Sequence, residues 1–382
     1  MRKALSLFMV IFVIITATFI IGPSVLATRT SGDFEFEAIE GGTICITDYK
    51  GSAEVVKIPE TIDGYTVTEI RSNTFQNCYG VTKIEIPESV INIGYDVFNG
   101  TAFYNDEKNW DNGILYIDNC LIATKPQLIT GKITVKQGTR VIAARAFCEC
   151  EHMTEIKLPE GLLTVGYSAF FRCSSLEELI FPDSVTRIEH LDVVDTDSLY
   201  RNTSQLKRVV LGDGLTEITY NMFSGCENLT EVVIGENVTK IGREAFCNTA
   251  IKHITIPDSV TDIEYRAFWG CDFLSTVELG SGIQKIDSSA FDSSNISEVT
   301  YNGNALQWDS IEIKDHNDKI QDLVKVLKDD AEIAGTYDEI ATDTDNKNNN
   351  RFAVPIIVII IIILVGLTIF MLRKSKREKK NI

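Results

Sequence analysis

The chain has 382 residues with 54 acidic against 36 basic side chains, and its formal charge of −18 at pH 7 argues against nucleic acid as a partner. With 44% hydrophobic residues it has ample material for a core, and nine cysteines, an odd number, leave at least one thiol outside any disulfide. Neither a Gly-rich phosphate loop, nor Gly-x-Ser-x-Gly, nor His-Glu-x-x-His occurs, so no catalytic residues, metal ligands, cofactor or small-molecule substrate are expected.

Residues 1–27 begin with Arg2 and Lys3, continue as a long apolar run and end on Val25-Leu26-Ala27, the layout of a signal peptide. The run is long enough for an uncleaved anchor to be the alternative. In 28–65, alternating Phe34, Phe36, Ile44 and Ile46 predict an N-terminal cap.

Residues 66–303 repeat. Phe75, Phe98, Phe147, Phe170, Phe223, Phe246, Phe268 and Phe291 recur every 22 or 23 residues wherever nothing is inserted. An Ile or Val stands five residues before each: Ile70, Ile93, Ile142, Val165, Ile218, Ile241, Ile263 and Ile286. After the Phe come alternating apolar pairs such as Ile84/Ile86, Ile156/Leu158, Leu179/Phe181, Val232/Ile234 and Val277/Leu279. Alternation over so short a run reads as a strand with one face inward. Pro87, Pro159, Pro182 and Pro257, or Gly235 and Gly280, then stop it. A unit this short cannot bury its own apolar face, so the units must stack into a solenoid. Counting Val56 with Ile58, ten candidate parallel strands are found. They predict one parallel sheet face, with short helical turns such as Gly242 to Phe246 opposite.

Two breaks in the period are orderly. Phe98 and Phe147 are 49 residues apart, one unit plus 26, which places an insertion at 104–131. Phe170 and Phe223 are 53 apart; Val193 fills the Phe position of the intervening turn, with seven extra residues near 195–205.

Units such as Thr216 to Val238 and Thr239 to Val260 place Ile, Gly, Ala-Phe, Cys, Leu, Ile-x-Ile-Pro and Ser-Val as the BspA-type leucine-rich repeat does, and the chain resembles that family over roughly 55–310. The insertion and the turn of Val193 depart from the pattern. The resemblance implies a leucine-rich-repeat-like solenoid. It also implies a secreted or surface-anchored protein that adheres to host proteins or other cells.

Beyond the repeats, 304–334 reads as a C-terminal cap with Trp308, Ile311 and Ile313, followed by helical spacing from Asp318 to Leu327. Residues 335–352 are a polar stalk. Residues 353–372 carry no charge and, as a helix, span about 30 Å, so one C-terminal transmembrane helix is expected. Arg373, Lys374, Lys376, Arg377, Lys379 and Lys380 in the tail 373–382 place that end in the cytoplasm and the repeats outside. Without the eight basic and one acidic residues of the two ends, 28–352 carries about −25.

Cys78, Cys150, Cys173, Cys226 and Cys271 all follow their Phe by three residues, a position that holds Thr101, Thr196, Thr249 or Ser294 in other units. Such exchange favours structural thiols that satisfy backbone groups over disulfides.

Reading the outward column of the strands turn by turn brings Ile180, Val210 and Val233 side by side, flanked by Glu178, Arg208 and Glu231. An apolar strip with a polar rim is a candidate ligand-binding site for an extracellular protein or cell-surface ligand. The alternatives are that the insertion or the 195–205 loop covers it, or that β-branched residues merely suit a strand. For the whole chain, the leading expectation is a membrane-anchored surface binding protein, the second a receptor or scaffold acting through the basic tail. A third is an exported hydrolase with its site near Trp110 and Asp111.

Overall fold

The computed structural model describes residues 28–189 and 205–328. The expected signal peptide, His190 and Val193, the extra loop but for residue 205, the stalk, the apolar span and the basic tail lie outside the described residues. Among the described residues no helix is long and apolar enough to cross a membrane.

Each coil runs through three sides. The first side is a longer strand, as in Glu178–Ile180, Arg208–Val210, Glu231–Val233, His253–Ile256 and Thr276–Leu279. All ten strands read from the sequence are present, and Val324–Lys328 adds an eleventh where helical spacing is expected. There the helix stops at Leu323, because Val324 and Val326 turn inward against the core and pair beside Val299 and Tyr301.

The second side corrects the expectation of a single sheet. From Phe98 onward the Ile or Val five residues before the Phe, with the residue preceding it, forms a two-residue strand, while Ile70 ends the longer strand Tyr65–Ile70: Val141–Ile142, Thr164–Val165 and Arg187–Ile188 pair in parallel, as do Glu217–Ile218 through Lys285–Ile286. Alternation cannot reveal a strand of two residues.

The third side corrects the expectation of helical turns. Residues two before and two after the Phe are left-handed throughout, for example Asn73 and Asn77 around Phe75, Arg145 and Glu149 around Phe147, and Glu244 and Asn248 around Phe246. Helix is impossible there, since each such residue breaks the right-handed run and costs about 1 kcal/mol or more. The alternation instead aims three N–H groups of a coil at the next, as in the coils of Phe75, Phe147, Phe223, Phe246 and Phe268. The N–H groups of Arg145, Phe147 and Glu149 donate to the carbonyls of Tyr167, Ala169 and Phe171 at 2.8–2.9 Å, and the residues between them close local turns.

Inside, the phenylalanines form a stacked column. Ring centroids are 5.6 Å apart for Phe223 and Phe246, 5.3 Å for Phe246 and Phe268, and 5.0 Å for Phe268 and Phe291, with planes within 14°. At the front, Phe34 and Tyr49 pack on Phe75, and Phe36, Ile44 and Ile46 are fully buried.

The spine is not continuous, however. The core falls into two clusters that meet at the insertion. Ile114–Ile117 and Cys120–Thr124 form an antiparallel hairpin, and the second of these strands pairs in parallel with Val141–Ile142. Ile114 and Leu121 face one cluster, while Leu115, Ile117, Cys120 and Ile122 face the other. The insertion is thus a partition within the stack and not an excursion from it. Its unbroken apolar runs are those of strands covered on both faces. The hairpin turn also caps an interrupted ladder, since the Ile86 N–H donates to Asp118 Oδ2 at 2.7 Å.

None of the nine cysteines is joined in a disulfide. The Cys173 and Cys271 thiols donate to the carbonyls of Phe147 and Phe246 in the preceding coil, both at 3.2 Å, while Thr101 and Thr249 donate to the carbonyl of their own Phe. Burial pushes the thiols of Cys45 and Cys120 up to about 12, and those of Cys150 and Cys271 to about 11, from an ordinary 9.0.

Because these folded values lie above the unfolded one, the thiols favour the fold fully below pH 9, and that advantage is lost as pH rises towards 11–12. Denaturation midpoints are expected to hold steady up to about pH 9 and then fall, with a shallower fall in Cys271→Ser. At the far end, the donors of the last coil are met by the Asp315 carbonyl for Ser289 and by Asn317 Oδ1 for Phe291, while Asn317 Nδ2 donates to the Asp287 and Lys314 carbonyls. Asn317 is 3% exposed. Asn317→Ala strands these groups, and chemical denaturation should report a loss of about 1–3 kcal/mol.

Candidate binding face

The six residues of the expected site come together. Glu178, Leu179 and Ile180 pair in parallel register with Arg208, Val209 and Val210, which pair in turn with Glu231, Val232 and Val233. The inward members Leu179, Val209 and Val232 are buried, which forces their neighbours outward. Ile180 and Val233 are 44% and 43% exposed, and Val210 between them is half-buried. The three side chains span about 10 Å along the stack. With Ile180 and Val233 this exposed, the insertion does not cover them.

The flanking charges form a triad. Arg208 Nε donates to Glu231 Oε1 at 2.7 Å and Nη1 to Glu178 Oε1 at 2.5 Å, so one guanidinium bridges three coils. Those two hydrogen bonds hold the guanidinium above its already high ordinary pKa. On the other side of the strip the chain turns inward at buried Pro182, Gly212 and Gly235. No side chain fits at Gly235, where a Cβ would lie 2.5 Å from the Gly212 carbonyl oxygen. Beyond this corner stands an exposed row that the sequence reading did not join to the strip: Asp183, Asp213 and Glu236. The Asp213 N–H donates to Asp183 Oδ1 at 3.1 Å and the Glu236 N–H to Asp213 Oδ1 at 2.8 Å. The signal was present in the sequence, since each acid directly follows the Pro or Gly that ends its strand.

Along the stack, the strip ends in polar residues. Lys157 lies on the coil before it, and Thr255 follows, donating to Glu278 Oε2 at 3.0 Å with His253 Nε2 3.1 Å from the Thr255 hydroxyl. Near the partition, Trp110 Nε1 donates to the Tyr104 carbonyl at 2.8 Å, and the Lys125 ammonium sits 4.6 Å from the Trp110 ring. Trp110 thus anchors the insertion, while Asp111 is exposed and accepts from the Asn112 amide. Among the described residues no group of three or more His, Cys, Asp or Glu could hold a metal ion.

The model of the BspA type leucine rich repeat region matches in six copies, over residues 50–130, 126–191 and 196–317. The chain belongs to this BspA-type leucine-rich repeat family. Among solved structures it is similar to a leucine-rich repeat protein of Eubacterium ventriosum, at 19% identity and a TM-score of 0.46, covering 71% of this chain and 95% of that one. It is also similar to a leucine-rich repeat protein of T. pallidum, at 24% identity and a TM-score of 0.26, covering 56% of this chain and 85% of that one. A leucine-rich cell surface protein of Faecalibacterium prausnitzii matches at 17% identity and a TM-score of 0.27, covering 76% of this chain and 99% of that one. No curated protein matches the sequence.

The triad is exposed enough for water to screen it, with Arg208, Glu178 and Glu231 side chains 35%, 42% and 57% accessible. Arg208→Gln should therefore lower stability by less than about 1 kcal/mol in denaturant titration, leaving the strip intact for binding measurements.

Proposed function

We propose that this member of the family is a membrane-anchored surface protein that binds an extracellular protein or a cell-surface ligand through the strip of Ile180, Val210 and Val233. The observation that carries the reading is the register of three outward aliphatic side chains on consecutive coils, with Lys157 and Thr255 in the same outward column on the coils to either side. Burying them gains roughly 25 cal/mol per Å² of apolar surface, and a contact of this kind needs no reorganisation of a face whose backbone is locked into two neighbouring strands. Glu178, Arg208 and Glu231 form the polar rim, where charge adds specificity more than affinity.

The ends of the sequence support display at the surface: Arg2 and Lys3 before an apolar run, and the uncharged span 353–372 followed by a basic tail. In this reading the repeats face outward, the helix anchors the chain and the tail lies in the cytoplasm.

Val210→Asp together with Val233→Asp keeps the buried face unchanged and charges the strip. Cells displaying this variant are expected to lose adhesion to host cells and matrix proteins while retaining the surface amount and thermal stability of the parent. Undiminished adhesion would reject the strip.

A further inference from the structure

The surroundings of the strip speak to the chemistry of its partner, given the reading that the strip is the contact surface. Two rows of carboxylates border it. On one side Arg208 is committed to Glu178 and Glu231, each of which accepts through a single oxygen, Oε1. On the other side Asp183 and Asp213 each accept a backbone N–H through Oδ1, a contact that aims the carboxylates along the row and leaves their charge in place. Among the described residues no cation pairs with Asp183, Asp213 or Glu236. Five carboxylates and one guanidinium leave this patch with four net negative charges, arranged on both sides of three outward aliphatic side chains. The chain around it, at about −25 over 28–352, adds to the same field.

We propose that the strip takes a protein segment presenting aliphatic side chains flanked by lysine or arginine. The aliphatic groups fill the strip of Ile180, Val210 and Val233, and the cations of the segment reach the carboxylate rows on either side. An acidic segment of equal apolarity meets repulsion from both rows. Arg208 offers such a segment little attraction, since its charge is already shared by two glutamates of its own sheet through Nε and Nη1. Rim charges of this sort act on association rate and partner choice, so binding should weaken as salt screens them.

The test uses the full chain in detergent and two labelled synthetic peptides, one alternating Ile and Lys and one alternating Ile and Glu. The Ile–Lys peptide is expected to bind and the Ile–Glu peptide not. Asp183→Asn, Asp213→Asn and Glu236→Gln combined should weaken binding of the Ile–Lys peptide by about tenfold or more at low salt, as should Val210→Ser with Val233→Ser. Neutralising three exposed acids elsewhere, with Glu227→Gln, Asp272→Asn and Asp322→Asn, should change it by less than about twofold. Equal binding of both peptides, indifference to the serine pair, or an equal loss from the distant acids would overturn the proposal. The two readings separate cleanly. If the aspartate variants abolish cell adhesion while neutralising the acid row leaves it unchanged, the strip stands and its partner is not cationic.

Discussion

Every coil of this solenoid must meet its neighbour at the same height on three sides at once. On the two strand sides the requirement is ordinary parallel pairing, which tolerates strands of two residues because each is continued by the coils above and below. On the turn side it is more demanding. The N–H groups at the Phe and two residues to either side all point towards the following coil, and that direction exists only because left-handed residues alternate with right-handed ones. The recurrence of Phe every 22 or 23 residues is the visible mark of this constraint. A coil that gains or loses a residue elsewhere can absorb it, but the segment around the Phe cannot slip without breaking three bonds to its neighbour.

This explains which features could be read from the sequence. The Phe column, the inward alternation and the outward strip follow from side-chain periodicity, and the structure places Ile180, Val210 and Val233 in the expected register. The second ladder and the turn geometry do not, because a strand of two residues shows no alternation and the turn geometry does not depend on which side chains are apolar. Left-handed positions are filled by Asn73, Asp96, Arg145, Ser168, Glu244 and Arg266, and only Gly100, Gly225 and Gly270 carry the residue type that announces such a conformation. The same limit applies at Val324 to Lys328, where inward valines two residues apart belong to a strand although the preceding Asp318–Leu323 is helical.

The partition shows how a solenoid admits extra sequence without losing its core. An insertion placed on a corner would loop outward; this one sends a hairpin back between two coils. To do so it must be apolar on both faces, and Ile114-Leu115-Tyr116-Ile117 and Cys120-Leu121-Ile122-Ala123 meet that need. The hairpin must also supply the hydrogen bonds that the separated coils no longer give each other. Its strand pairs with Val141–Ile142, its turn carboxylate takes the Ile86 N–H, and the Ala144 N–H still reaches the Ile93 carbonyl across the junction.

Directional bonding on the turn side has a consequence for the ends. Since all N–H donors there face one way, the first coil presents carbonyls and the last presents donors, and each end requires a cap of opposite character. At the last coil, Asn317 answers with a side-chain carbonyl for the Phe291 N–H and an amide for the Asp287 carbonyl, a task that needs both halves of an amide in one buried side chain. A carboxylate would lack the donor and an ammonium the acceptor. The first coil is covered differently, by the rings of Phe34 and Tyr49 against Phe75 and by a strand, Thr43–Tyr49, that pairs in parallel with Tyr65–Ile70. The stack is therefore chemically polar from one end to the other, and the two ends are not interchangeable even though the coils between them are nearly alike.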